Sequence, residues 1–101
     1  MAFQVLITDR ANQDLSEIVA FIKKDNPGAA EKLGHAMIDH LKILRDFPFV
    51  GRMVPERGNS RLREIIHFPY RIVYRVNESE NLIQVLRFWH AARGKPELQE
   101  E

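Results

Sequence analysis

The side chains in this chain that could do chemistry are mostly cations. Eight of its ten arginines (52, 57, 61, 63, 71, 75, 87 and 93) fall between Gly51 and Lys95, where nine basic and four acidic residues give a net +5. The first fifty residues carry a net −1 and Pro96 to Glu101 a net −3, so the formal +1 of the whole chain conceals a strong segregation. Lysine scattered on helices usually marks a solvated face, whereas arginine gathered on strands suits planar recognition of carboxylate or phosphate. Arg63, Arg71, Arg75 and Arg87 could share one sheet face, with His90 and Arg93 where the last strand ends. Such a surface could grip a nucleic-acid backbone. It could also stabilise a scissile phosphate with His90 as proton donor, or hold an acidic protein partner.

Other chemistries find little support. There is no cysteine, hence no thiolate nucleophile, disulfide or cysteine-held zinc. Ser16, Ser60 and Ser79 lack a nucleophile-elbow context, and no glycine loop could cradle a phosphate. His35, His40, His67 and His90 show no ligand spacing, so neither a metal nor a cofactor is expected. Glu64 is the only acid inside a predicted strand, and it reads first as an arginine partner and second as a general base. No apolar run is long enough to span a membrane and no leader is recognisable, so a cytoplasmic protein is expected.

The elements that position these residues follow from periodicity. Pro69-Tyr70-Arg71-Ile72-Val73-Tyr74-Arg75-Val76 alternates with period two, the mark of a half-buried strand. Leu82 to His90 is nearly continuous apolar sequence, which suits a central strand. Asn77 to Asn81 between them has hairpin-turn composition. Upstream, Leu62 to Phe68 alternates, and Phe3 to Thr8 reads as a first strand. Ala11, Leu15, Ile18, Val19 and Ile22 form one stripe of a helix over 10–25 capped by Thr8 or Asp9, with Phe21 off the centre of the stripe, where it could reach a partner or the second helix. Asn26-Pro27 restarts a second helix running to about Asp46, whose Gly34 marks a close approach of the two. Phe49 to Ser60 reads as an irregular connection.

The expected fold is therefore α+β: an N-terminal strand, an antiparallel αα-hairpin, then a three-stranded antiparallel sheet (β-α-α-β-β-β). The helices cover one sheet face and the other is left to the arginines. Residues 1–95 form the single domain and 96–101 a frayed acidic tail.

Three stretches carry a family resemblance. They are the opening strand with Ala11, Asp14, Leu15, Ile18 and Ile22; Phe47-Pro48 to Gly51-Arg52 with Val54-Pro55-Glu56; and Leu62-Arg63-Glu64, Pro69 to Tyr74, and Val85-Leu86-Arg87 with His90 to Arg93. In their order the chain resembles the RelE/ParE toxin superfamily of bacterial type II toxin–antitoxin systems, most closely its ParE-like branch. The resemblance implies a growth-inhibiting toxin, of the kind tied to plasmid stabilization, held inactive in a hetero-oligomer by a cognate antitoxin with a disordered C-terminal segment. It implies poisoning of DNA gyrase if the chain follows ParE, and ribosome-dependent mRNA cleavage if it follows RelE. In the second case Arg71, Arg93 and His90 would be the catalytic set, with Arg71 matching the arginine of the RelE sheet motif. The arginines in the loop before Leu62 where RelE has lysines, and the lack of a tyrosine after Arg93, favour ParE. An attenuated member that binds antitoxin without toxicity is a further alternative. In each case antitoxin side chains are expected in the groove beside the helical hairpin, its acids are expected to meet the arginines, and the lone chain should be poorly soluble or self-associate.

Overall fold

The fold is seen in a computed structural model that describes residues 2–98. It is a five-stranded sheet in the order β1-β5-β4-β3-β2, with β1 at Gln4–Ile7, β2 at Arg52–Met53, β3 at Leu62–His67, β4 at Tyr70–Asn77 and β5 at Leu82–His90. The helices α1 (Asp9–Lys23) and α2 (Pro27–His40) form the expected hairpin on one face. The Thr8 hydroxyl caps α1 by accepting from the Ala11 N–H, and Asn26 caps α2 by accepting from the Ala29 N–H. A Cβ added to Gly34 would lie 3.3 Å from Val19 Cγ2, so this glycine does sit at the helix–helix contact.

The hairpin of β4 and β5 is central, as its patterning implies. Ile72, Tyr74, Val76, Ile83, Val85 and Phe88 bury their side chains under Ala11, Met37, Leu41 and Leu44. Asn81 closes the connecting turn at φ 52°, in the left-handed region that asparagine tolerates. Three details differ from expectation. β1 pairs with β5 in parallel, so the sheet is mixed; the helical hairpin carries the chain back to the side from which β1 started. The helical stretch after His40 breaks at Leu41-Lys42 and resumes as the short α3 (Ile43–Asp46). The connection expected to be irregular contains β2, paired antiparallel with β3 through Arg52 opposite Glu64 and Met53 opposite Arg63.

The face of the sheet turned away from the helices is not open. Val54, Leu62 and Val73 form a second apolar cluster there, joined by Leu86 and Leu98. Of the tail expected to fray, Pro96 is buried and Leu98 packs on this cluster, while residues 99–101 lie outside the described region. Covering this face removes Val73 and Leu62 from water.

Candidate functional site

The strand register decides which arginines share a face, and it separates the expected set. Tyr74, in the helix-side core, pairs with Arg63, so Arg63 stands on the helix side. There its guanidinium donates to the carbonyls of Ser60 and Gly51 and stacks on Phe49. Arg71 and Arg75 alternate to the far face. Arg87 joins them because β5 is bulged: Val73 pairs with Arg87 but Tyr74 with Val85, which leaves Leu86 as an extra residue. Without the bulge, period two from Ile83 and Val85 would send Arg87 into the core.

Sharing a face does not leave these cations free. Arg71 is 7% exposed. Its Nε donates to Glu64 Oε1 at 2.6 Å and its Nη2 to Glu56 Oε1 at 2.8 Å. Glu64, 1% exposed, takes a second bond from Arg52 Nε at 2.6 Å. The bonds to Glu56 and Glu64 hold the Arg71 guanidinium above its ordinary pKa, and Arg71 in turn holds the Glu56 carboxyl below the usual carboxylate range. Arg87 is 4% exposed and clasped bidentately by Asp14 of α1, at 2.7 and 2.9 Å. The same Asp14 carboxylate accepts from the Phe88 N–H, protecting the β5 edge beyond the end of β1. The open arginine surface expected from sequence is therefore absent for Arg71 and Arg87: buried guanidinium groups need carboxylate partners, and the fold supplies them. Arg75 is half-buried and also engaged.

Asp14 and Glu56 were the partners that composition did not reveal. A signal for Asp14 exists: it lies three residues after Ala11 and one before Leu15, at the edge of the apolar stripe of α1. A carboxylate there calls for a buried cation.

What stays accessible is the end of the hairpin. A hollow of about 220 Å³ is lined by Asp14, Glu17, Ile18, Phe21, Tyr70, Phe88, His90 and Arg93. His90 Nδ1 accepts from the Ala92 N–H at 3.1 Å, so the neutral ring carries its proton on Nε2. The Tyr70 ring meets His90 edge-on at 5.2 Å, and burial pushes the Tyr70 phenol up. Arg93 is exposed and lies 4.0 Å over the Trp89 ring, whose Nε1 donates to the Gly94 carbonyl. Phe21, 71% exposed, borders the hollow. A cation, an imidazole donor and exposed aromatic surface suit an anionic or protein ligand. The three residues carried over as a catalytic set are not convergent: His90 lies opposite Tyr70 on the helix side, whereas Arg71 lies opposite Trp89 on the far face. Among the described residues no three His, Cys, Asp or Glu side chains group as metal ligands, and no helix is long and apolar enough to cross a membrane.

A family profile described as the ParE toxin of type II toxin-antitoxin system, parDE, matches residues 5–94. The chain belongs to the RelE/ParE toxins of type II toxin–antitoxin systems. Curated relatives of this superfamily span nearly the same length. Toxin RelE1 of Caulobacter vibrioides is 30% identical over 89% of this chain and 95% of its own. A protein of Sinorhizobium fredii named putative toxin Y4kP is 33% identical over 90% and 91%. Among solved structures, the chromosomal ParDE system of P. aeruginosa aligns with TM-score 0.72 and 22% identity, covering 88% of this chain and 96% of that one. The RelBE2 complex of Mycobacterium tuberculosis aligns with TM-score 0.62 and 20% identity over 89% and 99%. At these identities the two structures speak for the RelE/ParE fold.

Proposed function

We propose that this toxin acts in the cytoplasm by binding a protein target in the manner of ParE, with DNA gyrase the candidate target, and that a cognate antitoxin neutralises it. The observation that carries the reading is the state of Arg71. A catalytic arginine must be able to turn toward a phosphate, and this one is buried, held by two carboxylates and on the opposite sheet face from His90. The accessible groups that remain, the exposed Arg93 and Phe21 with half-buried His90, have the aromatic and arginine character of protein-binding anchors. The antitoxin is expected in the trough of about 390 Å³ bordered by Leu15, Gly34, Ile38 and Lys42 beside the helical hairpin.

The test is induction from a tight promoter with two parallel readouts. The expected result is growth arrest, inhibition of supercoiling by purified gyrase on adding the chain, and intact transcripts in a translating extract. Normal supercoiling at a large excess of the chain would refute the gyrase target. The second reading, a RelE-like mRNA interferase, draws on the name of the Caulobacter relatives and on the Nε2 proton of His90. It requires codon-specific cleavage that Arg93→Ala abolishes. Unimpaired growth with no antitoxin present would instead identify an attenuated member.

A further inference from the structure

The four histidines show no ligand pattern along the sequence, yet the fold brings two of them together. His40 is the last residue of α2 and His67 the last residue of β3. Their Nδ1 atoms face each other at 2.9 Å, and the ring centroids lie 5.1 Å apart with the planes tilted by 60°. Both rings are half-buried and so within reach of water. Neither lines the hollow at the end of the hairpin.

The contact has the dimensions of a chelate. Two imidazoles that bind one ion at metal–nitrogen distances of about 2.0–2.1 Å, at a square or tetrahedral angle, put their ring centroids roughly 4.5–5.3 Å apart. The observed separation falls in that span. A turn about the Cβ–Cγ bond swings Nδ1 and leaves the ring centroid nearly in place, so an ion can enter without moving α2 against β3. In the pair as it stands one Nδ1 donates to the other. An ion needs a lone pair from each, so that proton moves to Nε2 of its own ring and both imidazoles stay neutral ligands.

The surroundings suit a cation. His40 closes a helix of 14 residues, whose last carbonyls carry partial negative charge. Two cations close by are already paired, Lys42 with Asp39 at 2.8 Å and Arg52 with Glu64 at 2.6 Å. A trough of about 360 Å³ lined by His40, Val50, Ile65 and Ile66 leaves room beside His40 for waters that complete a coordination shell. Imidazole donors select zinc, nickel or copper over magnesium or calcium. We infer that His40 and His67 form a two-histidine site for a divalent ion of the zinc, nickel and copper class, which ties the end of the helical hairpin to the sheet. With two protein ligands in place of three or four, the ion is exchangeable.

The test takes the full chain without a histidine tag, strips it with chelator, and titrates it with zinc, nickel or copper chloride in separate calorimetric arms. The expected result is saturable binding of one ion per chain in at least one arm, and the tightest arm names the ion. Binding should weaken about tenfold or more in both His40→Gln and His67→Gln and stay unchanged in His35→Gln. With that ion at a hundredfold excess over Kd, the melting temperature of the wild type should rise by about 5 °C or more, and that of neither glutamine variant should follow. Where a glutamine variant fails to fold, imidazole nitrogen resonances of the wild-type chain give the answer: the ion should shift or broaden those of His40 and His67 and leave those of His35 and His90 in place. No saturable binding in any arm, full binding by either His40→Gln or His67→Gln, or resonance changes confined to the other histidines would overturn the inference.

Discussion

Replacing Arg71 by alanine separates a scaffolding arginine from a catalytic one. The substitution leaves Glu64, 1% exposed, with Arg52 as its remaining cation, and Arg52 is mostly in water. Breaking a buried pair from one side costs about 3–5 kcal/mol. Because Arg52 still compensates part of the charge, we place Arg71→Ala near the lower end, about 3 kcal/mol. For a domain of this size each kcal/mol moves the melting temperature by about 4–8 °C, so a drop of about 12–24 °C is expected. The double variant Arg71→Met/Glu64→Leu removes both charges and fills the space with apolar atoms. It should recover most of that loss. Thermal melts followed by circular dichroism, with urea unfolding as a second measure, decide the matter. An Arg71→Ala melt within about 3 °C of wild type, or a double variant no more stable than the single one, would refute the scaffolding argument and return Arg71 to the candidates for phosphate binding.

Three further outcomes follow from the same geometry. Gly51→Ala should destabilise the chain by more than about 2 kcal/mol in urea unfolding, because its Cβ would lie 2.5 Å from the Glu64 carbonyl oxygen and 2.7 Å from the Tyr74 hydroxyl that accepts from the Gly51 N–H. Acid should destabilise it in two windows measurable by melts across pH. His67, pressed by burial and by His40 at 2.9 Å, has its folded value below its ordinary 6.5, so its contribution is complete above 6.5 and is lost as pH falls through the lower folded value. Glu56, depressed from 4.5 chiefly by its bond to Arg71, contributes fully above 4.5 and loses that contribution as pH falls through its folded value. Arg93→Ala removes an exposed cation stacked on Trp89 and should cost only about 0.5–1 kcal/mol of stability; a growth assay on induction should nonetheless show loss of toxicity, and full toxicity would remove Arg93 from the functional surface.

The sequence by itself determined what depends on near neighbours. Period two at Ile72, Tyr74 and Val76, the apolar stripe of α1, the Thr8 and Asn26 caps and the turn at Asn81 are set by backbone geometry over a few residues, and each could be read locally. So could the central place of the β4–β5 hairpin. Tertiary structure alone decided the fate of the charges. Arg87 meets Asp14 across 73 positions of sequence, at the β5 edge where β1 has ended, after the bulge at Leu86 has shifted the register of the strand. Arg63, the second residue of β3, goes to the helix side by pairing with Tyr74. A guanidinium group on a strand reads the same in sequence whether it faces water or a carboxylate. Register, bulges and the return of a distant helix determine which, since the cost of burying an unpaired charge acts only on the assembled fold.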